Sequence, residues 1–384
     1  MQETVITLLC CLNKKLELYR AVNGMEQQTD ILLIMPEDEE QIVNERQRMI
    51  LQQAIEGCSV EVWRKAADFV PVRNRRILFV LNLGADGINL EYQKFLRVMR
   101  RHPDCLHGCV GSILVDADSE LYTKAEAREL VFAANLCGCV FPGKPLVEGT
   151  ASLDNFLIQA RNLETDRMGA YQKLARNLVE QLMTFQIPLH DRPKILAVHA
   201  SNRATSNTLT LWRKVKQHLE EDCDVQEISL QNGSVVDCNG CPYQTCRHFG
   251  ETYSCFYGGV IVEEVYPAIL DCDALMVLCP NYNDAVSANL SAFINRLTAL
   301  FSKVRFYNKA LFCIVVSGYS GGDIVAKQIM GALNMNKTFL LPANFSLMAT
   351  ANDPFSVNKI ADIDQKAEAF AKNMLAHLRK EQTI

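Results

Sequence analysis

The run Lys194-Ile195-Leu196-Ala197-Val198-His199 breaks into Ala200-Ser201-Asn202-Arg203-Ala204-Thr205-Ser206-Asn207-Thr208, after which Leu209, Leu211, Trp212, Val215 and Leu219 recur at helical spacing. An apolar strand, a polar loop and an amphipathic helix, in that order, form the repeating unit of a parallel α/β sheet. Downstream, residues 224–230 alternate like a second strand. Residues 274–279 and 310–316 are unbroken apolar runs, as expected of central parallel strands covered on both faces. Residues 336–341 read as the last strand, and a helix over 363–378 closes the chain. This succession predicts a doubly wound parallel sheet.

The first half repeats the plan. Residues 30–35 correspond to the first strand, 42–55 to the first helix and 58–63 to the second strand. Residues 76–81 correspond to the central strand, 89–99 to the helix over 289–299, and 111–116 to the strand before Ser317. Cys139-Val140-Phe141-Pro142 lines up with Phe339-Leu340-Leu341-Pro342. The expectation is an internal duplication, with two α/β domains in tandem. The boundaries read as 1–157 for the first domain, 158–190 for a connecting helix and linker that packs across both halves, and 191–384 for the second. Pro188 and Pro193 mark the junction.

At 384 residues the chain can bury two cores. A net charge of −5 without a long basic run argues against a nucleic-acid or anionic-membrane binder. No apolar stretch approaches the ~20 residues that span a bilayer. The short run 5–12 reads as part of a buried helix, because Glu3 stands where an export signal would carry positive charge. A cytoplasmic, reducing environment is therefore expected, and most of the 15 cysteines read as small buried apolar residues, Cys105, Cys109, Cys137 and Cys139 among them.

Chemistry is expected at three strand ends. After Val198, a helix N-terminus and the hydroxyls of Ser201, Ser206 and Thr208, with Asn207 and Arg203, make an anion site with no acidic residue in it. The plainer alternative is a hydroxyl-rich helix cap. Pro280-Asn281-Tyr282-Asn283 follows the central strand and offers backbone groups and a ring to a flat aromatic ligand. Ser317-Gly318-Tyr319-Ser320-Gly321-Gly322 follows the next strand, with glycines that allow close backbone approach. Loops at successive strand ends coincide with the ligand crevice of an open α/β sheet.

These motifs carry a resemblance. Residues 194–350 resemble the NADPH-dependent FMN reductase family, of flavodoxin-like fold, and within it the iron–sulfur flavoprotein-like members. Residues 200–208 are similar to the family's phosphate loop, with Ala200 in place of the usual glycine. Residues 280–288 are similar to its flavin loop, and Ala292-Phe293-Ile294-Asn295-Arg296 to the helix that follows, with Asn295 replacing an aspartate. The resemblance implies two tandem flavodoxin-like domains, the second binding FMN. It also implies an oxidoreductase that takes electrons from NAD(P)H and passes them to a quinone, flavin or other small acceptor. A non-enzymatic electron carrier between redox partners is the competing reading, and a homodimer is a further implication of the family.

Cys238-x2-Cys241-x4-Cys246-x8-Cys255 has thiolates at a spacing open to a [4Fe–4S] cluster, to zinc, or to uncoordinated thiols. The third and fourth cysteines stand further apart than in the iron–sulfur flavoprotein pattern. The first domain is expected to lack cofactor. Glu37-Asp38-Glu39-Glu40 stands where the phosphate loop would be, at a cost of several kcal/mol to a dianion, and Asp116-Ala117-Asp118-Ser119-Glu120 replaces the glycine turn.

Overall fold

The computed structural model describes residues 29–39, 44–201 and 204–380. The expected N-terminal helix over 5–12, the acidic residue Glu40, and Asn202 and Arg203 of the phosphate loop lie outside the described residues.

Two five-stranded sheets are present, and every strand pairs parallel to its neighbours. The first contains β1 (Ile31–Ile34), β2 (Val60–Trp63), β3 (Arg76–Asn82), β4 (Val110–Asp116) and β5 (Leu146–Gly149) in the order β2-β1-β3-β4-β5. The second contains β6 (Lys194–His199), β7 (Asp224–Ser229), β8 (Ala274–Asn281), β9 (Ala310–Ser317) and β10 (Ser346–Thr350) in the order β7-β6-β8-β9-β10. The two orders are the same, and so is the register at the central strand ends. Asn82 pairs with Asp116 in one sheet, and Asn281 with Ser317 in the other. The architecture is two tandem flavodoxin-like α/β units.

Helices α1 (Glu45–Ala54), α2 (Leu90–Arg101), α3 (Thr123–Leu136), α4 (Leu157–Asn162) and α5 (Arg167–Thr184) belong with the first sheet. Helices α6 (Asn207–Gln217), α7 (Tyr243–Gly250), α8 (Tyr266–Asp271), α9 (Ala288–Phe301), α10 (Gly322–Met330) and α11 (Ile363–Leu378) belong with the second. The single helix expected over 158–185 is two helices, because Asp166 caps a new start by accepting from the Gly169 N–H at 2.7 Å. Its long part, α5, buries Tyr171, Ala175, Leu178 and Leu182 in one core with Leu78, Val80 and Leu114 of the first sheet, and just beyond its end Phe185 and Ile187 pack against the core of the second unit.

The last strand was misplaced by the sequence pattern in both halves. Residues 339–341 and 139–142 touch their own sheets through one parallel bridge each, Leu340 to Ala310 and Val140 to Val110, while Phe339, Leu341, Cys139 and Phe141 face the shared core between the two sheets. Phe141 and Leu341 exchange backbone hydrogen bonds at 2.9 Å each way, and the true edge strands β5 and β10 begin several residues later. Around this bridge one apolar core runs continuously through both halves, including Phe132, Phe141, Phe339, Leu341 and Phe345.

Candidate functional site

The second sheet delivers the three expected loops to one edge. β6 ends at His199, β8 at Asn281 and β9 at Ser317, and the pairing of β6 with β8 and of β8 with β9 makes these ends neighbours.

At the first loop, Ser206 caps α6 by accepting from the Leu209 N–H at 3.3 Å, and Thr208 is buried at the second helical position. The first-turn amides of α6 point toward the loop, as at any helix start. Asn207 sits at the first helical position, but its side chain turns away. It donates to Ala351 O at 3.1 Å and Asp353 O at 2.8 Å and accepts from the Val357 N–H at 3.2 Å, which pins the loop after β10. Ser201 donates its backbone N–H to His199 Nδ1 at 3.3 Å, and burial pushes the His199 imidazole below its ordinary range. His199 therefore serves as a neutral acceptor. A cavity of about 340 Å³ opens here, lined by His199, Ser201, Ala204, Trp212, Arg213 and Glu227.

The second loop is a tight hairpin. Pro280 and Asn281 finish β8, Tyr282 and Ala285 bridge, and Asn283 and Asp284 between them both take left-handed φ values of 54° and 55°. Short Asn and Asp side chains tolerate that region, which a two-residue hairpin turn requires. Tyr282 projects into solvent. Asn281 ties this loop to the third: its Nδ2 donates to Ser317 Oγ at 3.2 Å and Ser320 O at 3.0 Å.

In the third loop Ser317 is buried, Tyr319 is 82% exposed, and Gly321 has φ 83° where it starts α10. A Cβ on Gly321 would collide with the Asp284 carboxylate, so the glycine is required by the close approach of the two loops. Gly318 lies against Asn352, and Gly322 against Ser317 and Met348. A second cavity of about 500 Å³ is lined by Ser317, Ser320, Gly321, Gly322, Met348, Thr350 and Lys366. The sequence did not mark Met348 or Thr350, since β10 was misplaced, nor Lys366, which reaches the cavity from the first turn of α11. Nor did it mark Gln328, whose position on α10 carries no spacing signal.

Of the readings left open for the cysteine segment, the structure supports no metal cluster. Among the described residues no group of three or more His, Cys, Asp or Glu is arranged to hold a metal ion. Cys238 and Cys241 lie in loop, Cys246 on α7 and Cys255 beyond that helix, all as free, half-buried thiols. The Cys241 thiol faces the Tyr257 hydroxyl at 3.5 Å. What holds the segment is Arg296 on α9, buried to 2% exposure. It donates to Val236 O at 3.2 Å and Gly258 O at 2.6 Å, on either side of the four cysteines. As placed, the four thiols do not fit a cluster, and no chemistry is derived through one.

The first sheet shows a different edge. Asp116, in the position of Ser317, is fully buried. It accepts from Arg46 Nε at 3.1 Å, Asn44 Nδ2 at 2.8 Å and the Tyr171 hydroxyl at 3.0 Å. Arg46 also donates to Ala117 O and Ala151 O, across the mouth of the crevice. Glu37 pairs with Arg64 and Glu39 with Lys65, while Asp38 accepts from the Leu90 N–H at 2.6 Å.

Residues 193–353, less than half of the chain, match the model of a family described as NADPH-dependent FMN reductase. No curated protein matches the chain. Among solved structures, an NAD(P)H:quinone oxidoreductase from Methanothermobacter marburgensis is similar at 13% identity, covering 48% of this chain and 96% of that one, with a TM-score of 0.38. An azoreductase from Bacillus anthracis is similar at 15% identity, covering 47% and 97%, with a TM-score of 0.36. An NADH:FMN oxidoreductase in its apo form is similar at 17% identity, covering 50% and 92%, with a TM-score of 0.35. No helix among the described residues is long and apolar enough to cross a membrane.

Proposed function

We propose that the protein is an FMN-dependent oxidoreductase that takes electrons from NADH or NADPH and passes them to a small acceptor such as a quinone or a flavin. The observation that carries this reading is the convergence of three ligand-type loops on one sheet edge, inside the segment matched by the FMN reductase family. The residues present fit FMN. The α6 N-terminus, with Ser201, Ser206 and Thr208, suits a phosphate dianion, and no carboxylate lies among the described residues of that loop. Gly321, at a φ that glycine adopts freely, lets the second and third loops approach closely and so holds both at the same end of the sheet.

When bound, the flavin supplies the hydride and electron chemistry. The chain's own part is to hold and orient. The α6 amides and hydroxyls take the phosphate, while residues 280–284 and 317–322 set the position of the ring. Neutral His199 keeps the first loop's backbone in place without adding charge beside the phosphate.

The first unit is read as a cofactor-free partner, whose crevice holds Asp116 and Arg46 where the second holds Ser317 and an open turn. Its matching strand order supports an origin by duplication. The test is stopped-flow mixing of FMN-loaded protein with NADH and with NADPH, followed by a quinone. Rapid bleaching and reoxidation are expected. Bleaching that is very slow with both nucleotides would overturn the enzyme reading in favour of an electron carrier.

A further inference from the structure

The hairpin 282–286 is too short to hold itself. Its two central residues sit in the left-handed region, and it closes on one backbone hydrogen bond, from the Ala285 N–H to Tyr282 O at 3.2 Å. Two side chains secure it. Asn281 does so from its own base, accepting from the Asp284 N–H at 2.9 Å. Gln328 does so from outside: its Nε2 donates to Asp284 O at 2.9 Å, and its Oε1 accepts from the Val286 N–H at 3.1 Å. One planar amide therefore holds the tip of the turn and its returning arm together.

Gln328 is itself rigidly placed. It lies on α10, whose Val325, Ala326, Ile329 and Met330 are buried in the core. The adjacent Lys327 bonds Glu129 of the first unit at 3.0 Å and Asp323 at 2.9 Å. The same helix starts at the Gly321-Gly322 turn of the third loop. Helix α10 thus carries one loop on its N-terminus and clamps the other with its seventh residue, which couples the two loops through one rigid element.

We propose that Gln328 is a positioning residue that fixes the second loop for FMN. The inference rests on the functional reading above. It predicts that binding loses affinity when the amide is removed, although Gln328 itself need not touch the ligand.

The full chain would be compared with Gln328→Met, which keeps size and removes both hydrogen bonds. Gln328→Glu would be the second variant, since it keeps an acceptor for the Val286 N–H but sets oxygen against Asp284 O. FMN dissociation constants would be read from flavin fluorescence quenching, alongside the melting temperature and amide exchange of the apo protein. Gln328→Met is expected to weaken FMN binding about tenfold, with faster exchange at Asp284 and Val286 and an unchanged apo melting temperature. Gln328→Glu should weaken it comparably. Should Gln328→Met melt early, Gln328→Glu decides the question. A dissociation constant within about twofold of wild type in the folded variants would overturn the inference while leaving the functional reading intact. A wild-type protein that does not bind FMN would overturn that reading, and this inference with it.

Discussion

Asn135 and Asn334 make the same pair of hydrogen bonds with the roles of the two units exchanged. Asn135 Nδ2 donates to Cys139 O at 3.0 Å in its own unit and to Pro342 O at 2.7 Å in the other. Asn334 Nδ2 donates to Phe339 O at 2.7 Å in its own unit and to Pro142 O at 3.0 Å across. Their backbone carbonyls match as well. Asn135 O accepts from the Asn344 N–H and Asn334 O from the Lys144 N–H, and both of those donors take left-handed φ. The symmetry breaks in one place: Asn135 Oδ1 accepts from the Phe345 N–H at 3.1 Å, whereas Asn334 Oδ1 has no partner.

Replacing either asparagine with leucine should destabilise the chain, since each change strips donors from two buried carbonyls at about 1–3 kcal/mol apiece. Asn334→Leu is expected to cost about 2–6 kcal/mol. Asn135→Leu should cost more, because it also orphans the Phe345 N–H. Urea unfolding of both variants would check the order. Equal or negligible losses would mean that the seam contributes little.

Ser206→Asp separates capping from anion binding. Aspartate is as good a helix cap as serine, so the melting temperature of the apo protein should hold. Yet a carboxylate would then stand beside the FMN phosphate, and affinity should fall by at least about tenfold. Titration with FMN at constant ionic strength measures it. Unchanged affinity would place the phosphate elsewhere.

Burial holds the His199 pKa below its ordinary value of 6.5. On acidification the unfolded chain therefore takes up this proton before the folded one does. The associated stability is intact above about pH 6.5, is lost as pH falls from there toward the lowered folded value, and stays lost below it. His199→Gln should flatten the decline, and because His377 has a pKa shifted in the same direction, the difference between variant and wild type is the quantity to measure. Identical pH profiles would mean that His199 does not titrate differently on folding.

Thiol reactivity should divide in two. Cys238, Cys241, Cys246, Cys255 and Cys58 are partly accessible and should react in the native protein at about pH 8, Cys58 and Cys246 more slowly because burial pushes their thiols up. Burial pushes Cys223 and Cys279 up to about 11 and Cys272 up to about 12, so these remain protonated and should react only after unfolding. Mass spectrometry after brief labelling with iodoacetamide would assign each site. Protection of all four residues of the 238–255 segment would show that they are engaged in a way the structure does not contain.

The succession of parallel strands and the three loops at their ends were legible because strands and helix starts leave local marks. Val198 into Ser201 and Val316 into Gly321 are changes of polarity that a short window detects. What escaped is non-local. Phe339-Leu340-Leu341 is as apolar as a strand, but its apolarity answers to Phe141 in the other unit. Asn207 has the composition of a phosphate ligand, while its side chain serves the loop after β10. The cysteine spacing left a cluster open, but among the described residues the four thiols are not arranged to hold a metal ion, and it is the Arg296 clasp that fixes the segment.

The seam at Asn135 and Asn334 also bears on how this chain can change. Where two identical subunits meet about a twofold axis, every substitution appears on both sides at once and must suit both surroundings. Here each position is encoded once. Lys144 can face Asn334 while Asn344 faces Asn135, and one asparagine can lose the third hydrogen bond that the other retains. The two halves are thus free to diverge residue by residue, with one crevice closing over Arg46 and Asp116 while the other stays open.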